Sequence, residues 1–178
     1  MAGTIAAQQH EAERSPQWPS VRDAFVKNNP QCAVCGKGSA QGIGLQAHHI
    51  FPFHYCIRLG RPDLELDPRN LVTLCETESG KPSDDHHVLI GHLDDFESSN
   101  LDVVSDAHTR FHGYSAEKIR NDAAWQQKKQ QRLPHIEAMR PEDQAAFVWA
   151  MNTRYPKAGV PAGKKPASLP DWIPAALR

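Results

Sequence analysis

Between positions 32 and 92 the sequence gathers four cysteines and six histidines. They run as Cys32-x2-Cys35, His48-His49, Cys75 and His86-His87-x4-His92, with His54 and Cys56 in between. Thiolate and imidazole are ligands of zinc and related metals, so a set this dense reads as two metal sites in one small fold. Cys32 and Cys35 flank Ala33-Val34 and precede Gly36, the spacing at which a tight turn aims two thiolates at one tetrahedral ion. A closed structural site needs four ligands. Cys75, after the apolar run Leu71-Val72-Thr73-Leu74, is the expected third. The fourth is a histidine or Cys56, and His86 is the better candidate because it lies in the polar segment just after Cys75. The expected set is therefore Cys32, Cys35, Cys75 and His86 around a structural Zn2+. A thioredoxin-like dithiol would need a βαβ alternation that is absent here. Cys56 reads as a small core thiol in the segment Phe53-His54-Tyr55-Cys56.

The elements that must carry these ligands are short. Ser20-x-x-Asp23 predicts a capped helix with Val21, Ala24 and Phe25 as its apolar stripe, stopped by Asn28-Asn29-Pro30 and packing on the cysteine turn. Gly42 to Phe53 alternates as a strand that ends at Pro52. A long connection, His54 to Arg69, leads to a second strand, Asn70 to Cys75. Gly80, Pro82, Ser83 and two aspartates form turns before a short helix from about His86-His87 to Phe96. Two strands and a helix around a metal make a ββα unit, an α+β class. Farther on, Ser115 predicts a helix through about Arg132, and Pro141 with Glu142 and Asp143 opens another that carries Phe147, Val148, Trp149 and Met151. The end is Pro/Lys-rich and closes with an apolar hook, Leu169 to Pro174.

At 178 residues and 39% hydrophobic content the chain suits one domain with extensions and a modest core, which metal cross-links would reinforce. It has no 18-residue apolar stretch, and Met1 to Gln9 has neither a basic flank nor a long hydrophobic segment. The expectation is a soluble, cytoplasmic protein with no membrane partner, its cysteines reduced ligands rather than disulfides. The net charge of −1 is unevenly spread: 0 over residues 1–31, −6 over 32–112 and +5 over 113–178. Such a basic third either grips phosphates or is a solvated helix face with a flexible tail.

The order Cys32-x2-Cys35, Leu45-Gln46-Ala47-His48-His49-Ile50, Asn70-Leu71-Val72-Thr73-Leu74-Cys75 and His86-His87-x4-His92 resembles an HNH endonuclease of the ββα-metal class, in the branch braced by a zinc knuckle. The resemblance covers about residues 14–107, with Ser15-Pro16 and Trp18 ahead of the knuckle. It implies a small treble-clef-like ββα-metal core with helical N- and C-terminal extensions. The organisation it suggests is a flexible leader (1–14), the nuclease domain (15–112), a helical basic extension (113–155) and a Pro/Lys-rich tail (156–178). It also implies hydrolysis of DNA phosphodiester bonds by a one-metal mechanism, with His49 as general base and Asn70 fixing the loop that bears it. His48, His87 and His92 would hold a catalytic divalent cation, typically Mg2+ and sometimes Mn2+, Ni2+ or Zn2+. Double-stranded DNA would be met through the minor groove and mostly at phosphates.

This chain departs from the family pattern in two places. Where the usual knuckle ends in a second Cys-x-x-Cys followed by His, Cys75 and a ten-residue spacer precede His86. His87 and His92 are five apart rather than four, about 140° out of phase on a regular helix. Either His87 precedes the helix proper or the turn at Gly91 is distorted, as in a π-bulge. In addition, His48 and His49 would point to opposite faces of a regular strand, so the strand must end or bend there, as Pro52 permits. The alternative function is a zinc-stabilised nucleic-acid- or protein-binding module without nuclease activity, which has no use for His49. A metalloprotease ranks last, since His-Glu-x-x-His is absent. His10, His54, His108, His112 and His135 read as ordinary surface or core histidines, and Trp125, Trp149 and Trp172 as packing residues.

Overall fold

The structure is a computed structural model that describes residues 13–76 and 85–178. Most of the expected leader, with His10, lies outside the described residues, as do the turn-formers Gly80, Pro82 and Ser83. No helix among the described residues is long and apolar enough to cross a membrane.

The fold is α+β around one antiparallel pair, β1 (Gly44–His49) and β2 (Leu71–Glu76). The register sets Leu45 opposite Cys75, His48 opposite Val72 and His49 opposite Leu71. Leu71 to Cys75 is buried throughout, because Ala33 N–H of the cysteine turn donates to Thr73 O from one side while β1 covers the other. β1 is shorter than expected. It ends at His49, where Asn70 takes over the pairing: Ile50 N–H donates to Asn70 O and Phe51 N–H to its Oδ1.

Helix α1 (Trp18–Asn28) begins two residues ahead of the expected cap. Ser20 Oγ donates back to Gln17 O instead of capping, and Pro19 fills the first turn, where its missing N–H costs nothing. The helix packs on β1, in a cluster of Trp18, Ala47 and Leu71 that contains no cysteine, rather than on the knuckle. The expected long connection is folded: α2 (Phe53–Arg58) starts directly after Pro52, and 3-10 turns span Pro62–Glu65 and Pro68–Asn70. Elements of three to six residues show no hydrophobic period, so the sequence hides them.

The helix expected from His86 to Phe96 is a single π-helical turn, His87–Gly91, and stops at His92. Leu93 and Asp94 follow with φ of 55° and 63°, which no right-handed helix can continue. Beyond it α3 (Val103–Ser105) runs into a second π turn, Asp106–Arg110. Ser115 does cap a helix, its Oγ accepting Lys118 N–H, but that helix is α4 (Ala116–Arg120) only. Asp122 then caps α5 (Ala123–Lys128) by accepting Trp125 N–H. The break reorients the chain so that Trp125 is fully buried. α6 (Pro141–Arg154) forms as expected and buries Phe147, Trp149 and Met151.

A single core cluster runs from Val34 and Leu74 beside the cysteines through Phe111 and Trp125 to Phe147 and Ile173 in the tail. The hook is seated: Trp172 lies 6.3 Å from Phe147, and Ala175 N–H donates to Asp102 Oδ1. The basic third meets the acidic middle inside the molecule. Arg120 and Lys129 pair with Asp94, Arg132 with Asp95 and Lys128 with Asp102.

Candidate active site and metal clusters

Cys32, Cys35, Cys75 and His86 come together with one ligand atom from each all within 4.8 Å of one another. The turn that aims the first two is closed by Cys32 N–H to Lys37 O and Gly36 N–H to Cys32 O, with Gly36 at φ 69°. That left-handed position is one that a side chain would strain. β2 delivers Cys75, and His86 Nδ1 stands 3.1 Å from its Sγ and 3.8 Å from that of Cys32. Hydrogen bonds from Cys32 and then Cys75 hold the Cys35 thiol well below its ordinary range. Burial opposes a proton on His86, but hydrogen bonds to Cys32 and Cys35 raise it to about 9. Three cysteines and a histidine brought this close form a donor set suited to zinc, which takes them as thiolates and a neutral imidazole.

A second cluster joins His48 from β1 to His87 and His92 at the two ends of the π turn, again with one nitrogen from each within 4.8 Å. The rings stand edge to face, with centroids 4.9–5.3 Å apart. Hydrogen bonding from i to i+5 gives the turn its wider circuit, which brings histidines five apart to one side. His86 and His87 are consecutive yet belong to different clusters. Burial, first of all, holds His48, His87 and His92 below the ordinary histidine value, His92 at about 4, so all three are neutral lone-pair donors at neutral pH. His92 Nδ1–H donates to Ser98 O at 2.8 Å, which leaves Nε2 for a ligand. His48 Nε2 is buried with no hydrogen-bond partner, and His87 Nδ1, buried and likewise without a hydrogen bond, has the Glu76 carboxylate 3.7 Å away. Such orphaned nitrogens cost roughly 1–3 kcal/mol each unless something coordinates them, so the residues fit a divalent ion.

His49 lies apart from that cluster, its ring 4.4 Å from Trp18 and 5.8 Å from Phe53. Its Nε2 meets Glu65 O at 2.9 Å. A carbonyl only accepts, so Nε2 carries the proton and Nδ1 keeps its lone pair. Burial lowers His49 to about 4, leaving the ring uncharged at neutral pH. Asn70, fully buried, accepts from Phe51 N–H and donates to Phe51 O and Leu64 O. These bonds tie the chain just after His49 to the chain just before Glu65. Because β1 ends at His49, both members of the doublet line one cleft of about 460 Å³, together with His87 and His92.

Three residues of this region escape a reading of the sequence, and a fourth, Gly91, shows there only as the point where the turn distorts. Gly91 lies against the His48 ring, where a Cβ would meet Cε1 at 2.8 Å. Asn100, buried, bonds the π turn from outside, its Nδ2 to Ile90 O and its N–H to Gly91 O. Arg14, inside the expected leader, holds its guanidinium 3.8 Å over Phe53 and 4.8 Å over Trp18 in the cleft. Phe96 stands at the same cleft with 64% of its surface exposed. A glycine before a histidine, the spacing of Asn100 and the arginine beside Ser15-Pro16 were the only signals, and each is weak alone.

Of the remaining residues, Cys56 is buried, donates to Phe51 O and is pushed up by burial, a core thiol as expected. His112 Nδ1 bonds Ala33 O, and His54 and His135 line the cleft. Trp125 and Trp149 are core residues.

The HNH endonuclease family model matches residues 32–77. The match takes in Cys32, Cys35, His48, His49, Asn70 and Cys75 and ends before His86, His87 and His92. The family is one of nucleases that use divalent cations and generally act on DNA. Comparison with curated proteins and with solved structures found no match.

Proposed function

We propose that the chain is a metal-dependent endonuclease that hydrolyses DNA phosphodiester bonds with His49 as general base. The observation that carries this reading is the neutral His49, its tautomer set by Glu65 O, opening on the same cleft as His48, His87 and His92. In this mechanism Nδ1 of His49 takes a proton from the attacking water while Glu65 O holds the ring. Asn70 fixes both flanks of that arrangement. A divalent cation at His48, His87 and His92, Mg2+ or else Mn2+, Ni2+ or Zn2+, would stabilise charge on the phosphate and the leaving oxygen. Arg14 adds positive charge on the His49 side of the cleft. Cys32, Cys35, Cys75 and His86 hold a zinc that cross-links the turn to β2.

The nuclease unit on this reading is residues 15–112, with 113–155 as a helical extension and 156–178 as a tail, acting on double-stranded DNA in a reducing compartment such as the cytoplasm.

Purified chain incubated with supercoiled plasmid and Mg2+, Mn2+ or Ni2+ should nick or linearise it. His49→Ala should lower the rate by about 10²–10⁴-fold, the range of general-base contributions, while zinc content and fold stay intact. Undiminished cleavage by His49→Ala removes the base assignment. One bound zinc with no cleavage by the wild type under any ion favours a binding module instead.

A further inference from the structure

Phe96 is the one large hydrophobic side chain left exposed among the described residues. It lies at the cleft with its ring centroid 5.2 Å from His92 and 6.3 Å from His87. Two features show that the turn presenting it is built to hold its shape. Leu93 and Asp94 both occupy the left-handed region, which residues other than glycine avoid. Surrounding contacts impose that conformation: Leu93 is fully buried, Asp94 N–H bonds Val88 O, Arg120 and Lys129 grip the Asp94 carboxylate, and Arg132 grips Asp95. Three cations of the C-terminal part are thus spent on a turn whose outermost side chain is an apolar ring in water. Strain held in place by neighbours marks a functional position. A side chain carried on a backbone already held in place also costs less ordering on contact.

We propose that Phe96 is a nucleobase-contacting residue: its ring seats against the face of a base in the nucleotide beside the phosphate at His87 and His92. The inference rests on the nuclease reading. It names what the cleft meets besides phosphate. A strand whose phosphate lies among the histidines carries its sugar and base past Phe96, and every base offers a π face to an aromatic ring, whatever its identity. In a duplex the ring must enter a base step from the minor groove and partly unstack it, which is easiest at pyrimidine–purine steps. Cleavage should therefore favour such steps and unpaired strands.

The test is a pair of anisotropy titrations of the zinc-loaded full chain carrying His49→Ala to block cleavage. One uses a labelled single strand of about 12 nucleotides, within the site sizes of compact single-strand binders. The other uses an abasic sugar-phosphate strand of the same length. Added Phe96→Ala should weaken binding of the base-bearing strand about tenfold and leave the abasic strand unchanged, and Phe96→Trp should restore the loss. Equal weakening of both strands, or no change in either, overturns the base contact. Plasmid cleavage by the wild type reports separately on the nuclease. Cleavage with no Phe96 effect sinks only the base contact, whereas a wild type that neither binds nor cleaves overturns both.

Discussion

A methyl group added at Gly91 would stand 2.8 Å from Cε1 and 2.9 Å from Nδ1 of His48, inside van der Waals contact. His48 sits on β1 with the π turn against its ring, so the ring must leave its place among His87 and His92. Gly91→Ala should therefore weaken Mn2+ or Ni2+ binding at the three histidines by about 10–100-fold, the loss typical when the support of a ligand is altered. Zinc content should stay the same. Calorimetric titration with parallel metal analysis reads both, and wild-type affinity would show that His48 is not needed there. At this scale the sequence was most legible where chemistry is written in residue type. Cys32, Cys35, Cys75 and His86 come together, and so do His48, His87 and His92, which the family resemblance implied and their spacing spoke against. Arg14, Phe96 and Asn100 were illegible because their types are common and only the tertiary fold brings them to the cleft, and Gly91 was legible only as the place where the turn distorts.

Among elements, the connection between the strands differs most from its sequence reading, and it is also the most tightly held. Arg61, 1% exposed, donates to Asn152 Oδ1 and Tyr155 O of the α6 end, and its other nitrogens grip the Asp63 carboxylate at 3.0 and 3.1 Å. Lys157 adds a second cation to Asp63. The Arg61 hydrogen bonds hold Asp63 down to about 2 from its ordinary 3.8. A carboxyl lowered on folding stabilises the native state above pH 3.8, and that contribution disappears as pH falls through about 2. Asp63→Asn should thus unfold at a lower temperature than the wild type near neutrality, with a gap that closes between pH 4 and 2. A gap constant across that range would show that the carboxylate charge is not what Arg61 requires. Helix α6 was legible because fourteen residues and a leading proline give a clear pattern. The π turn was visible only as a spacing of five that a regular helix cannot satisfy.

Across the whole molecule part of the charge imbalance read from sequence is met internally. Arg120, Lys128, Lys129 and Arg132 find their anions in Asp94, Asp95 and Asp102 of the acidic middle. The basic third braces the chain that carries the histidines, an outcome that segment totals could not distinguish from a phosphate grip or a solvated face. The consecutive residues His86 and His87 carry a further consequence. One peptide bond separates a member of the cysteine cluster from a member of the histidine cluster, so a coupling between their occupancies is the expected outcome. Ordering His86 prepays part of the entropy of ordering His87, and a coupling of this kind must be reciprocal. Removal of zinc should then weaken Mn2+ binding at the histidines by about 5–150-fold, the usual span of such couplings. Manganese should in turn slow the loss of zinc to a chelator, and a manganese affinity indifferent to zinc would mean that the two sites load independently. With such a coupling, whichever cluster fills first would ease the filling of the other.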